Sequence, residues 1–165
     1  SDRCYHCKNT LFRQILRAAE NDGFPVLLDG TNASDDAGDR PGMRALRELS
    51  VRSPLRECGL TKAEIRRLSK EAGLFTWDKP AYACLATRIR TGEEITLQKL
   101  KQTEKAEGFL FGLGFRDFRV RMVDNTAKLE LREADLPLLL ENREKIVTEL
   151  RKDYDSVLLN LEVRK

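Results

Sequence analysis

Long apolar runs are missing from this 165-residue chain: no stretch approaches the roughly 20 apolar residues a membrane-spanning helix needs. No signal-peptide pattern is visible. Cysteine is scarce, and four cysteines in a chain this long, rich in Lys and Glu, do not make a disulfide framework. The reading is a reducing, cytoplasmic setting in which thiols serve metals or chemistry. An excess of either charge is also lacking: 30 basic and 27 acidic residues leave +3, too balanced to mark a nucleic-acid protein by itself. There are no internal repeats and no low-complexity segment. What is present is 41% hydrophobic and 35% charged residues, enough for a core and for solubility.

The apolar pattern is ordered along the chain. Leu11, Phe12, Ile15, Leu16 and Ala19 predict a helix from Asn9 to Asn21, ended by Asp22-Gly23. Phe24-Pro25-Val26-Leu27-Leu28 is wholly apolar, the mark of a strand buried on both faces, and helix plus buried strand is half of an α/β unit. The polar loop from Asp29 to Gly42 leaves the carboxyl end of that strand, where open α/β sheets bind ligands. A short helix is expected from Met43 to Leu49. Thr61-Lys62-Ala63-Glu64 reads as a capping box that opens a helix running to Ala72, with Gly73 as its stop. After Gly92 the pattern changes to a helix Thr96–Leu113, paired strands Asp117–Met122 and Ala127–Leu131, a long helix Leu136–Lys152 and a final strand Ser156–Val163. The expected organisation is the trailing half of an α/β nucleotide-binding domain in residues 1–92 and a small α+β domain in 93–165. The chain begins with Ser1 and stops directly after a strand-like run, so a fragment of a longer protein is expected.

Several residues could carry chemistry. Cys4-x-x-Cys7 can grip one soft metal centre or form a redox pair. A structural zinc would want four ligands, with His6, Cys58 and Cys84 as the other candidates. His6 lies between the two cysteines and reads as a surface residue, and Cys58 reads as a small buried hydrophobe. Cys84 sits beside Arg88, whose guanidinium would favour the thiolate. Three cysteines suit an iron–sulfur cluster with one open iron site; a non-catalytic zinc-binding CxxC domain is the alternative. In the polar loop, glycine lets backbone amides approach a phosphate and Arg40 could pair with an anion; a plain surface loop fits the composition equally. Arg119-x-Arg121 lies on a predicted strand, where period two puts both guanidiniums on one face. They repel unless an anion sits between them, and Glu107 could accept one of them or hold a metal ion. A solvent-facing strand edge is the bland alternative.

Seven segments stand in order: Arg3-Cys4-Tyr5-His6-Cys7-Lys8, Leu28-Asp29-Gly30-Thr31-Asn32-Ala33, Arg40-Pro41-Gly42, Arg52-Ser53-Pro54-Leu55, Gly59-Leu60-Thr61-Lys62, Lys79-Pro80-Ala81-Tyr82-Ala83-Cys84-Leu85-Ala86-Thr87-Arg88 and Arg119-Val120-Arg121. Together they resemble the ATP-dependent sulfur transferases of the LarE family, within the PP-loop ATP pyrophosphatase group. The resemblance implies a partial Rossmann-like PP-loop domain followed by the small α+β domain. It implies ATP and Mg²⁺, and adenylation of a carboxylate on a pyridinium dicarboxylate mononucleotide. Sulfur then replaces the activated oxygen, giving the thiocarboxylates of the nickel-pincer nucleotide. With Cys4, Cys7 and Cys84 at the motif positions, it implies a 4Fe-4S cluster carrying a transferable sulfide, with Cys84 also the residue to test for direct sulfur donation. By the same analogy Arg88, Glu107, Arg119 and Arg121 meet phosphates or a metal, and Gly30, Thr31, Asn32, Asp39 and Arg40 line the nucleotide and substrate cleft. The implied partner is a small nucleotide, with homo-oligomers as in relatives. A PP-loop enzyme that thiolates tRNA is a further alternative, against which stands the lack of an RNA-binding module. The family's Ser-Gly-Gly-x-Asp-Ser loop is absent from this sequence, so little ATP turnover is expected of this polypeptide alone. Ile89-Arg90-Thr91-Gly92 also departs from the Pro-Tyr-Gly or Pro-Thr-Gly turn of relatives.

Overall fold

Helix α1 spans Arg3–Asn21. It begins six residues before the expected start at Asn9, so Cys4 and Cys7 sit in its first two turns. The Asp22 amide closes the helix on Ala18 O, and Gly23 turns the chain away at φ 81°, a left-handed conformation that suits glycine. This is a computed structural model, and it describes residues 2–35, 41–80 and 82–164. The chain divides into two compact units, Ser1–Lys79 and Pro80–Lys165.

In the first unit the segment after α1 departs from expectation. Among the described residues its one ladder contact is a parallel bridge between Leu28 and Arg52. That bridge is closed by the Asp29 amide on Arg52 O (2.9 Å) and the Arg52 amide on Leu27 O (3.0 Å). Phe24, Val26 and Leu28 are 67%, 55% and 56% exposed. An apolar run is buried on both faces only where a sheet and flanking helices cover it, and one bridging residue does not supply that. Helix α2, Pro41–Glu48, packs on α1 and buries Ala45 and Leu46. Tyr5, between the two cysteines, fixes this contact: its hydroxyl donates to Glu48 Oε2 (2.6 Å) and its ring lies 4.3 Å beneath the Arg44 guanidinium. The short α3, Pro54–Glu57, leads to α4, Lys62–Glu71. The expected capping box opens α4: the Glu64 amide donates to Thr61 Oγ (3.3 Å), and the Thr61 amide donates to Glu64 Oε2 (2.8 Å). Cys58, expected to be a small buried hydrophobe, is exposed at the end of α3.

The second unit has its own core. Helix α5, Leu97–Gly112, is capped by Thr96, whose Oγ accepts from the Lys99 amide (3.2 Å). Strands β1, Arg119–Val123, and β2, Thr126–Glu130, pair antiparallel, and β3, Ser156–Leu159, joins β2 in parallel. The turn between β1 and β2 places Asp124 at φ 52°. The expected long helix is two, α6 (Leu136–Glu141) and α7 (Arg143–Leu150), divided at Asn142. Asn142 Nδ2 donates to Leu138 O (3.0 Å), a side-chain bond to the backbone of the kind that disfavours Asn inside helices. Period two sends Val120 and Met122 of β1 and Ala127 and Leu129 of β2 into a core with Leu110, Phe115, Ile146 and Leu150. Arg119 and Arg121 take the other face. Residues 82–92 pack with this unit: a 3₁₀ turn covers Leu85–Arg88, and Ile89 bridges in parallel to Met122 at the β1 edge. The chain is thus mixed α/β. Among the described residues no helix is long and apolar enough to cross a membrane.

Candidate functional site

Chemistry-bearing residues gather in each unit. In the second unit, α5 presents Glu107 at the β1 edge, where the 3₁₀ turn delivers Arg88. Arg88 Nε donates to Glu107 Oε1 (2.6 Å) and a terminal nitrogen donates to Oε2 (3.1 Å), with both side chains no more than 2% exposed. The Val120 amide adds a third donor to Oε1 (3.0 Å), and the Tyr82 hydroxyl a fourth to Oε2 (2.8 Å). A carboxylate offers about four lone-pair directions, and here the protein occupies them all. The carboxylate that the resemblance offers as a metal ligand therefore serves as the anchor of a buried ion pair in this conformation. Burial first, then the Glu107 carboxylate, pushes the Tyr82 phenol up to about 12.

The arginines around this pair differ in freedom. Arg121 Nε donates to Glu130 Oε1 (2.7 Å) and a terminal nitrogen donates to Thr87 O (2.8 Å). Glu130 stands directly opposite Arg119 in the sheet register, yet its carboxylate goes to Arg121. Arg119 has no ion-pair partner among the described residues. Burial, then repulsion from Arg164, Arg88 and Arg121, lowers the affinity of Arg119 for its proton. A half-buried guanidinium without an ion-pair partner among the described residues suits an oxyanion. Cys84 precedes the turn and is exposed, its carbonyl accepting from Thr87 N (2.9 Å) and Thr87 Oγ (2.7 Å). The Arg88 guanidinium, which the sequence places near Cys84, is committed to Glu107.

In the first unit, Cys4 and Cys7 are three residues apart on α1, on one face, and both are exposed. Cys4 borders an open cavity of about 520 Å³ that Lys8, Asp29, Gly30, Thr31 and Asp35 also line. Gly30 and Thr31 are thus brought to the same cavity as one of the thiols. Asp29 organises the wall: it accepts from Ser53 Oγ (2.6 Å), Thr31 Oγ (2.6 Å) and the Thr31 amide (3.2 Å). Burial raises the Asp29 pKa, but these hydrogen bonds and the nearby charge of Lys8 outweigh it, and the carboxyl is held below its usual range. Asn32 serves the loop itself, its Oδ1 accepting from the Ser34 amide (3.0 Å) and its own amide donating to Asp35 (2.9 Å). Asp39 and Arg40 lie outside the described residues. Within either unit, no three His, Cys, Asp or Glu side chains among the described residues gather as a metal site.

Two residues that stand within the quoted motifs, but were assigned no role there, also line this wall. Lys8 lies one helical turn beyond Cys4, and that spacing was the signal for a cation on the same wall. Asp29, two residues before Thr31, carries the sequence mark of an Asx turn.

No family model matches the chain. It is 42% identical over 79% of its length to an uncharacterized protein of Synechocystis sp., of which it covers 48%. It is 35% identical over 98% of its length to an uncharacterized protein of Methanocaldococcus jannaschii, of which it covers 64%. The third relative is the pyridinium-3,5-bisthiocarboxylic acid mononucleotide synthase of Lactiplantibacillus plantarum, 35% identical over 81% of this chain and 48% of that protein. The chain spans about half to two thirds of the length of these curated relatives, and across four fifths of its own length it is a homologue of a protein that bears this synthase name.

Proposed function

We propose that the chain is part of an ATP-dependent sulfur transferase of the LarE family, acting in nickel-pincer nucleotide biosynthesis. Its substrate is a pyridinium dicarboxylate mononucleotide and its product the thiocarboxylate. The observation that carries this reading is the likeness to the named synthase over 81% of the chain. Two features of the molecule support it. Arg119, half-buried and without an ion-pair partner among the described residues, suits a phosphate of the mononucleotide or of AMP. Exposed Cys4 and Cys7 on one helix face offer two soft donors of the kind an iron–sulfur centre takes. The likeness to the family makes Cys84 the proposed third ligand.

The chemistry balances simply. A carboxylate is a poor electrophile. Attack of its oxygen on the α-phosphorus of ATP releases pyrophosphate, whose charge Mg²⁺ neutralises, and leaves an acyl adenylate. A sulfur nucleophile then adds to the acyl carbon, the C–S bond forms, the C–O bond breaks and AMP departs. Arg119 holds phosphate, while the Arg88–Glu107–Tyr82 lock fixes the strand edge from which Arg119 and Arg121 project. A cluster bound by the three thiols would supply sulfide.

The test supplies the adenylated mononucleotide ready-made to the iron- and sulfide-reconstituted chain, so that ATP activation is not required. Mass spectrometry should find a product in which one oxygen is exchanged for sulfur, lost in Cys84→Ala. Hydrolysis to the free carboxylate alone, in wild-type and variant alike, would reject the reading.

A further inference from the structure

One cation at the sheet end remains to be accounted for. Arg164 returns over the strand termini: its amide donates to Leu131 O (2.9 Å), one residue past β2, and its guanidinium donates to Asp117 Oδ1 (2.9 Å), two residues before β1. These are the strand ends at which Arg119 and Glu130 stand opposite each other. The Arg164 side chain is only 19% exposed, and its Nε is buried with no hydrogen-bond partner among the described residues. A buried charged donor without an acceptor is a cost that folded chains rarely carry without a ligand or water to meet it. Among the described residues Arg164 is foremost of the cations that lower the proton affinity of Arg119, and the acid opposite Arg119 is engaged by Arg121.

We propose that Arg164 joins Arg119 to bind one dianionic oxyanion of the phosphate-monoester class. The proposal rests on reading the Arg119 face as an anion site and adds to it the residue that completes the charge. Two guanidinium forks supply the donors a phosphate dianion takes, with the Asp117 carboxylate offsetting part of their charge. Asp117 holds Arg164 by one terminal nitrogen and leaves Nε without an acceptor among the described residues.

The experiment is calorimetric titration of the full chain with inorganic phosphate at low ionic strength, with far-ultraviolet circular dichroism on each variant. Arg119→Gln and Arg164→Gln should each weaken binding about tenfold or more, the loss of a charge-assisted hydrogen bond. Arg164→Lys, which keeps the charge but not the fork, should fall between. Asp117→Asn breaks the Arg164 ion pair but leaves the cation, so phosphate affinity should hold even if stability drops. Loss in Arg119→Gln with wild-type affinity in Arg164→Gln overturns the role of Arg164 while leaving the anion site standing. Equal losses in Arg164→Gln and Asp117→Asn overturn it too, since Arg164 would then act only as a strap. If the wild-type chain does not bind phosphate, or neither arginine matters, the anion reading itself falls.

Discussion

Four donors on one carboxylate make Glu107 the residue on which the second unit's site depends. Glu107→Gln would leave the Arg88 guanidinium buried without a counter-charge, which costs about 3 kcal/mol or more. For a unit of this size that is a fall of more than about 10 °C in melting temperature, read by thermal circular dichroism. The exposed Arg67–Glu71 pair is the control, since breaking it should change stability by no more than about 0.5 kcal/mol. Tyr82 gives a pH signature. Its phenol rises from 10.0 to about 12, so the folded state favours the protonated form. The stabilisation it brings is fully present below pH 10.0 and is lost as pH rises through about 12. Phenolate absorbance should show a component with that late midpoint, absent in Tyr82→Phe; a Tyr82 that ionises at the ordinary value would contradict the Glu107 bond. Arg88 and Glu107 were both singled out from the resemblance, as partners of phosphate and metal. That they meet each other is a tertiary fact across 19 residues, which no spacing rule reveals.

At the scale of elements, locally encoded features were the readable ones. The Thr61–Glu64 capping box needs only its own four residues, and it is present. Thr61→Ala should lower the stability of the first unit by about 1 kcal/mol in urea unfolding, and no change would mean that the cap is not formed in solution. Features set by surroundings were misread. The start of α1 is polar, so apolar periodicity could not find it, although Cys4 and Cys7 owe their shared face to it. Phe24 to Leu28 has the composition of a buried strand, but burial depends on neighbours, and among the described residues it has only Arg52. The break at Asn142 hides inside an amphipathic run, because apolar spacing continues on both sides of it. Strands β1 and β2 were readable because alternation reports directly on which face is covered.

The whole molecule joins two units of unequal character. The second buries a continuous core around its sheet. The first buries only Ala45 and Leu46 among its described apolar side chains, and leaves Leu11, Ile15, Phe24, Val26 and Leu28 well exposed. The candidate thiols divide between the units: Cys4 and Cys7 on α1, Cys84 ahead of the 3₁₀ turn. Their proposed common role is therefore a statement about the whole chain, and it can be measured. Anaerobic reconstitution with iron and sulfide, followed by iron and acid-labile sulfide determination, should yield a brown protein holding both in equal amounts. Cys4→Ala, Cys7→Ala and Cys84→Ala should each lose most of that chromophore, and Cys58→Ala should keep it. A chain that takes up no cluster and instead binds one zinc ion tightly, with an affinity that Cys84→Ala leaves unchanged, would contradict a shared iron–sulfur centre.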